Sequence, residues 1–264
     1  MRAEQRAIDR INIAARQRFL VQQISKSTCF AMSSHNPADN GANAWTALDT
    51  FNASFDVLIQ GSPDQGLEAE KNAAALAALD ASRSNWTTFE AATRQIVSGD
   101  WHSVPVAQVL NLNDMVLSDV NKAVDQIIET HTKHLTTRKA FAATVNIAGR
   151  QRMLVQKAAK EMCFISLEIE QDSMRADLVQ TTDLFEASLN ALENGDYDMS
   201  VIDPPSLAVL VKISEVRALW KKYRVILDKV TSGDPPNADE VAFIETKSES
   251  LYRLSDDLVA LYLK

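Results

Sequence analysis

Residues 11–30 read INIAARQRFLVQQISKSTCF, and residues 145–164 read VNIAGRQRMLVQKAAKEMCF. Twelve of the twenty positions are identical at an offset of 134. The offset continues without a gap well beyond this segment. Asp49, Phe51, Ala53, Ser54, Leu58 and Gly61 fall on Asp183, Phe185, Ala187, Ser188, Leu192 and Gly195. Arg83 and Trp86 fall on Arg217 and Trp220, and Ser98-Gly99-Asp100 falls on Ser232-Gly233-Asp234. A register kept over most of the chain is the signature of a tandem duplication. Two domains are expected, 1–134 and 135–264.

Composition bounds the class. The chain has 264 residues, 46% hydrophobic and 23% charged, which is globular usage. Seven Gly and seven Pro are too few for the turns of an all-β fold and favour long helices. Net charge is −8 and argues against a nucleic-acid binder. No apolar run is long enough to span a membrane. The charged start, Met1 to Ile11, shows no signal-peptide core, which fits either a cytoplasmic protein or a mature segment. Two cysteines form no CxxC motif.

Each copy reads as four helices, giving an all-α protein of two tandem four-helix bundles. The first helix runs from about Arg2 to Ser33 and is interrupted by the polar stretch His35 to Gly41. The second stops at Gly61. Ser62-Pro63-Asp64-Gln65 has the form of a capping box with Pro at the first helical position, so the third helix is expected from there to Gly99. The fourth starts near Val104-Pro105. In the second copy, Asp203-Pro204 and Asn237 to Glu240 read as helix starts. Trp86, Phe89, Thr93 and Ile96 share one helical face, as do Trp220, Tyr223, Leu227 and Val230, and read as bundle core. Around Thr130 to Leu135 a fold-back is favoured over a continuous helix. It would lay the two first helices parallel in an intramolecular pseudo-dimer.

The first helix carries the chemistry. From Arg10 to Ala38 there is no acid, and from Thr130 to Lys160 none against seven basic residues. An acidic protein that keeps one basic helix per copy, and keeps counter-charges out of these stretches, points to an anion as the complement. Ala15, Arg18, Gln22, Lys26 and Cys29 lie 3, 4, 4 and 3 residues apart and form one stripe; Gly149, Arg152, Gln156, Lys160 and Cys163 repeat it. Across a pseudo-twofold axis Arg18 would meet Arg152. A planar oxyanion between two guanidinium forks would offset their repulsion. Against this stands the plainer expectation that helix arginines face water or pair with acids on neighbouring helices. Arg16 and Arg150, about 200° around the helix, belong to another face. Cys29 and Cys163 could form a disulfide in an oxidising compartment, although two buried thiols are the commoner arrangement. His131 and His134 with Glu129 have no counterpart in copy two and read as a solvated turn. Asp256-Asp257 reads as surface charge. No catalytic constellation, cofactor motif or metal spacing is present, so neither an enzyme nor a cofactor is expected.

The segment Asn146 to Leu154, NIAGRQRML, followed by Gln156 and Lys160, resembles the signature of the PilJ-type domain of type IV pilus methyl-accepting transducers. That domain is related to the periplasmic sensor domain of nitrate/nitrite-responsive histidine kinases, where the corresponding helix is called the P-box. The resemblance implies a four-helix sensory bundle that pairs through parallel first helices. It further implies an anion, nitrate or nitrite, held between two P-box arginines. Those arginines match Arg18 and Arg152. The P-box glycine matches Gly149, with Ala15 departing from it, so main-chain contact is implied near both. Asn12 and Asn146, and Gln22 and Gln156, extend the implied ligand-binding set. The resemblance also implies a periplasmic location and a signalling partner. The sequence has no HAMP-like linker, methylation helix or kinase, so a free-standing binding protein is expected. The alternative is a ligand-free module whose basic helices bind a pilin, receptor or kinase.

Overall fold

The computed structural model describes residues 2–33, 35–133 and 139–263, with the side chains of 2–4 and 139 left aside. Among the described residues all regular structure is helical, apart from two isolated β-bridges. The chain divides into two compact units, Met1–Ala142 and Ala143–Lys264.

Unit one contains α1 (Arg2–Met32), α2 (Pro37–Gln60), α3 (Ala73–Ser82), α4 (Trp86–Val97) and α5 (Ser103–Thr132). Here α1 packs on α2, α4 and α5, while α3 and α4 together supply the third arm of the bundle against α5. Unit two is built from α6 (Lys139–Ser166), α7 (Gln171–Asn194), α8 (Leu207–Thr231) and α9 (Ala238–Tyr262). The all-helical class is as expected. The fold-back lies partly on residues 134–138, outside the described residues; Thr130 to Thr132 belong to α5.

Three sequence expectations need correction. Ser62-Pro63-Asp64-Gln65 does not start a helix. Ser62 and Leu67 exchange backbone hydrogen bonds of 2.8 and 2.9 Å, closing a tight turn, and Asp196 and Val201 repeat it in unit two. Pro at the second position suits such a turn as well as it suits a helix start. The third helix begins at Ala73 instead, capped by the Asn72 side chain, which accepts from Ala75 N at 3.0 Å. It then breaks at Arg83 to Asn85, whereas α8 runs through the equivalent Arg217 to Leu219. The break falls on Ser84 and Asn85, whose side chains compete for the backbone, where copy two has Ala218 and Leu219. In copy two the helix start expected at Asp203-Pro204 comes at Leu207, capped by Ser206. The start at Asn237 is a complete capping box with Glu240.

Gly61 sits at φ +78°, and a Cβ there would lie 2.5 Å from the carbonyl carbon of Glu68. Only glycine permits both the dihedral and the approach. The aromatic stripes bury as expected. Phe51 stacks on Trp86 with ring centroids 3.7 Å apart, and Phe185 on Trp220 at 3.8 Å. Each indole N–H is satisfied from α2 or α7, Trp86 by Asn52 and Trp220 by Glu186.

The offset of 134 ends before the last helix of each copy. Buried Val109, Asn113, Val116, Val120 and Val124 of α5 correspond in spacing to Ile244, Ser248, Leu251, Ser255 and Val259 of α9, a shift of 135. One residue has been gained between Asp234 and α9.

Candidate functional site

The preserved polar stripe of α1 and α6 is buried. Arg18 is 2% exposed and Arg152 1%, which ranks them among the largest fully buried side chains of the protein. Ala15, Gly149, Gln22, Gln156, Lys26 and Lys160 are also buried, and Asn12 and Asn146 are half-buried. Arg16 is exposed and Arg150 half-buried, as their place on the helix predicts. Cys29 and Cys163 are fully buried, and neither is a free thiol.

A buried guanidinium requires hydrogen-bonded counter-charge. The acid-free stretches of α1 and α6 take it from the last helix of their own unit. Arg18 Nη2 donates to Asp125 Oδ1 on α5 at 2.8 Å, and Arg152 Nη1 donates to Asp256 Oδ1 on α9 at 2.7 Å. Asp256 is therefore an ion-pair partner and not plain surface charge, a correction to the sequence reading. The two acids are not equivalents in the repeat. With the 135 shift, Asp125 corresponds to Ala260, and Asp256 to Asn121. Each copy has reached the same pairing from a position one helical turn away from that used by the other. Sequence reasoning missed both acids because they stand far along the chain and share no register.

The stripe glutamines also reach the last helix. Gln22 Nε2 donates to Asn113 Oδ1 at 3.1 Å, and Asn113 Nδ2 to Ser25 Oγ at 2.6 Å. Gln156 Nε2 approaches Ser248 O at 3.5 Å, at the position that matches Asn113. The side-chain oxygens of Gln22 and Gln156 are buried with no hydrogen-bond partner among the described residues. The other repeated glutamine is an internal tie: Gln17 donates to Ser54 at 2.6 Å and Gln151 to Ser188 at 2.7 Å, joining first helix to second. The Ser54/Ser188 correspondence was the signal for this tie in the sequence.

Elsewhere the copies differ. Unit two carries Glu161 where unit one has Ser27. Burial pushes the Glu161 carboxyl above the usual range, although Lys157 and Lys160 lie close and Lys157 and Thr181 donate to it. Unit one anchors the start of α1 through buried Arg10, which donates to Leu58 O at 2.7 Å and to Glu68 O and pairs with Glu70 at 3.4 Å. His131 meets the same carboxylate at 2.7 Å, so it belongs to a packed cluster and not to a solvated turn. Burial works to raise the Glu70 pKa. The backbone hydrogen bond from Asn72, with His131 and Arg10, outweighs it and holds the carboxyl below its ordinary range. His134 lies outside the described residues. Among the described residues no group of His, Cys, Asp and Glu is arranged to hold a metal, and no helix is long and apolar enough to cross a membrane.

The sequence is also similar to known proteins. The chain is 30% identical over 118 residues to the methyl-accepting chemotaxis protein McpN of Pseudomonas aeruginosa. The match covers 45% of this chain and 21% of that protein, so the chain spans about a fifth of its relative. Residues 134–242 match the PilJ family, described as the N-terminal region of type IV pili methyl-accepting chemotaxis transducers. Proteins of this type signal and sense. The matched segment 134–242 holds Gly149, Arg152, Gln156 and Lys160, and the first unit repeats the core of its opening helix at twelve of twenty positions.

Proposed function

We propose that this chain is a sensor that binds one small planar oxyanion, nitrate first and nitrite second, between Arg18 and Arg152. The observation that carries the reading is the burial of both arginines at equivalent positions of the duplicated, acid-free stretches within α1 and α6. A surface for a protein partner needs such residues exposed, and burial therefore weighs against the ligand-free interaction module. In this reading the two units form an intramolecular pseudo-dimer with the first helices, the P-box equivalents, side by side. The main chain near Ala15 and Gly149 closes the pocket, Asn12 and Asn146 orient the helices, and Gln22 and Gln156 turn their amides toward the ligand. Covalent linkage of the half-sites makes their pairing independent of protein concentration. Cys29 and Cys163, three turns beyond the arginines, pair with each other and fasten the far end of the same seam. That pairing suits the oxidising periplasm, where we place the protein. A signalling protein reads the bound state.

Isothermal titration with nitrate tests the proposal, with nitrite, sulfate and chloride as competitors. One nitrate per chain is expected, with binding lost in the Arg18→Ala/Arg152→Ala double variant. One nitrate per two chains would replace the pseudo-dimer by a true homodimer. No heat and no thermal shift with any of these anions would refute the sensor reading.

A further inference from the structure

Each candidate arginine already holds an oxyanion, the carboxylate of an aspartate. A carboxylate presents two oxygens in a plane to a guanidinium fork, as nitrate does. The aspartates stand on the last helix of each unit, and both remain in touch with water: Asp125 is 63% exposed at its side chain and Asp256 31%. The arginines they hold are not. One partner of each pair is thus fixed in the core, while the other can swing into solvent, where its charge is hydrated.

The non-equivalence of the acids strengthens the point. Had one ancestral aspartate been copied, the pair could be an inherited relic. Instead the carboxylates come from positions one turn apart, yet each reaches the arginine of its own first helix. Two separate placements of the same group against the same partner argue that the pairing is needed in each half.

We propose that Asp125 and Asp256 are built-in competitors of the anion. In the empty protein they hold Arg18 and Arg152 and tie α5 to α1 and α9 to α6. The incoming anion takes the guanidinium donors, the carboxylates leave for water, and the last helices are loosened from the first. The aspartates thereby set both the affinity and the mechanical output. This rests on the anion reading above and adds to it the residues that oppose the ligand. The pocket of Arg6, Arg10, Glu68, Glu70, Lys71 and His131 offers no comparable exchange, because Arg10, Glu70 and His131 are tied to one another.

If a carboxylate occupies its arginine about nine-tenths of the time, only the remaining fraction is competent to bind. The apparent affinity is lowered roughly tenfold by each such latch. Nitrate titration of the wild type, Asp125→Asn and Asp256→Asn is the test. Each variant is expected to bind nitrate several-fold to tenfold more tightly than wild type, Asp256→Asn most, since its carboxylate is the more enclosed. Equal or weaker binding by folded variants, with the wild type binding normally, overturns the latch and leaves the anion site standing. Absence of binding by wild type and variants alike overturns both. Should a variant fail to fold, hydrogen exchange on the wild type decides. Saturating nitrate is expected to speed exchange in α5 around Asp125 and in α9 around Asp256; slowed or unchanged exchange there overturns the latch.

Discussion

Replacing Asp256 by Asn should cost more stability than replacing its partner Arg152 by Met, the reverse of what the sizes of the two side chains suggest. Asp256→Asn keeps the shape of the side chain and removes its charge. The Arg152 guanidinium, 1% exposed, is then deprived of its carboxylate where water cannot replace it. Removing one partner of a fully buried pair costs about 3–5 kcal/mol, and of an exposed pair about 0–1 kcal/mol. With Asp256 31% exposed, a cost of about 2 kcal/mol is expected. Arg152→Met leaves a carboxylate that can turn to solvent and fills the space of the aliphatic stem, for about 1 kcal/mol. In unit one the carboxylate of Asp125 is 63% exposed, so Asp125→Asn should cost less than about 1 kcal/mol. Urea unfolding followed by far-UV circular dichroism, in low-salt buffer without nitrate, measures the order through the midpoint at constant m. Guanidinium chloride would screen the pairs and should be avoided. If Asp125→Asn costs as much as Asp256→Asn, or if Arg152→Met is the worst of the three, burial does not decide the energetics and the reasoning fails.

Glu161→Gln should raise Tm at pH 8. The Glu161 carboxyl is raised in the folded protein, so the native state binds the extra proton and wild-type stability falls as pH rises from the ordinary carboxylate range toward the raised value. The gain should vanish in acid, and thermal scans across pH measure it. Glu70 has the opposite sign: its carboxyl is lowered, and its contribution is present above the ordinary range and lost as pH falls through the lowered value. Glu70→Gln should therefore lower Tm at neutral pH and converge with wild type in acid. Gly61→Ala should destabilise by about 2 kcal/mol or more, because the alanine meets both an unfavourable φ and the backbone of Glu68; an unchanged Tm would contradict the close approach. Alkylation of protein unfolded without reductant should leave Cys29 and Cys163 unlabelled, and labelling of both would dismiss their proposed pairing.

Much of the architecture was legible in the repeated twenty residues, because a duplicated register identifies equivalent helices before any is seen. The Asn237 cap and the Trp86 and Trp220 stripes were legible for the same reason: their signals are local and periodic. The turn at Ser62 was misread because Pro followed by Asp satisfies a helix start and a β-turn alike, and only the bridge to Leu67 separates them. The stripe put Arg18 and Arg152 on one helix face without deciding between burial and exposure, and pairing with acids of neighbouring helices was foreseen only in general terms. A counter-ion on another helix leaves no periodic trace, and the repeat gave no guide because the two acids occupy non-equivalent positions. Glu161, one position beyond the acid-free run, was equally silent, since Ser27 gives it no counterpart.

The divergence of the two copies at a few charged positions bears on how such a protein evolves. A homodimer encoded once receives every substitution twice, on both sides of its axis, and can explore only symmetric sequences. Here Arg10 is answered by Thr144, Ser27 by Glu161, and Asp125 by Ala260. Each half can accept a change that its sister does not share. Two helices alike at twelve of twenty core positions can thus come to differ in how firmly each is tied into its own bundle. Selection acting on a single gene then has two adjustable bundles where a symmetric pair offers one.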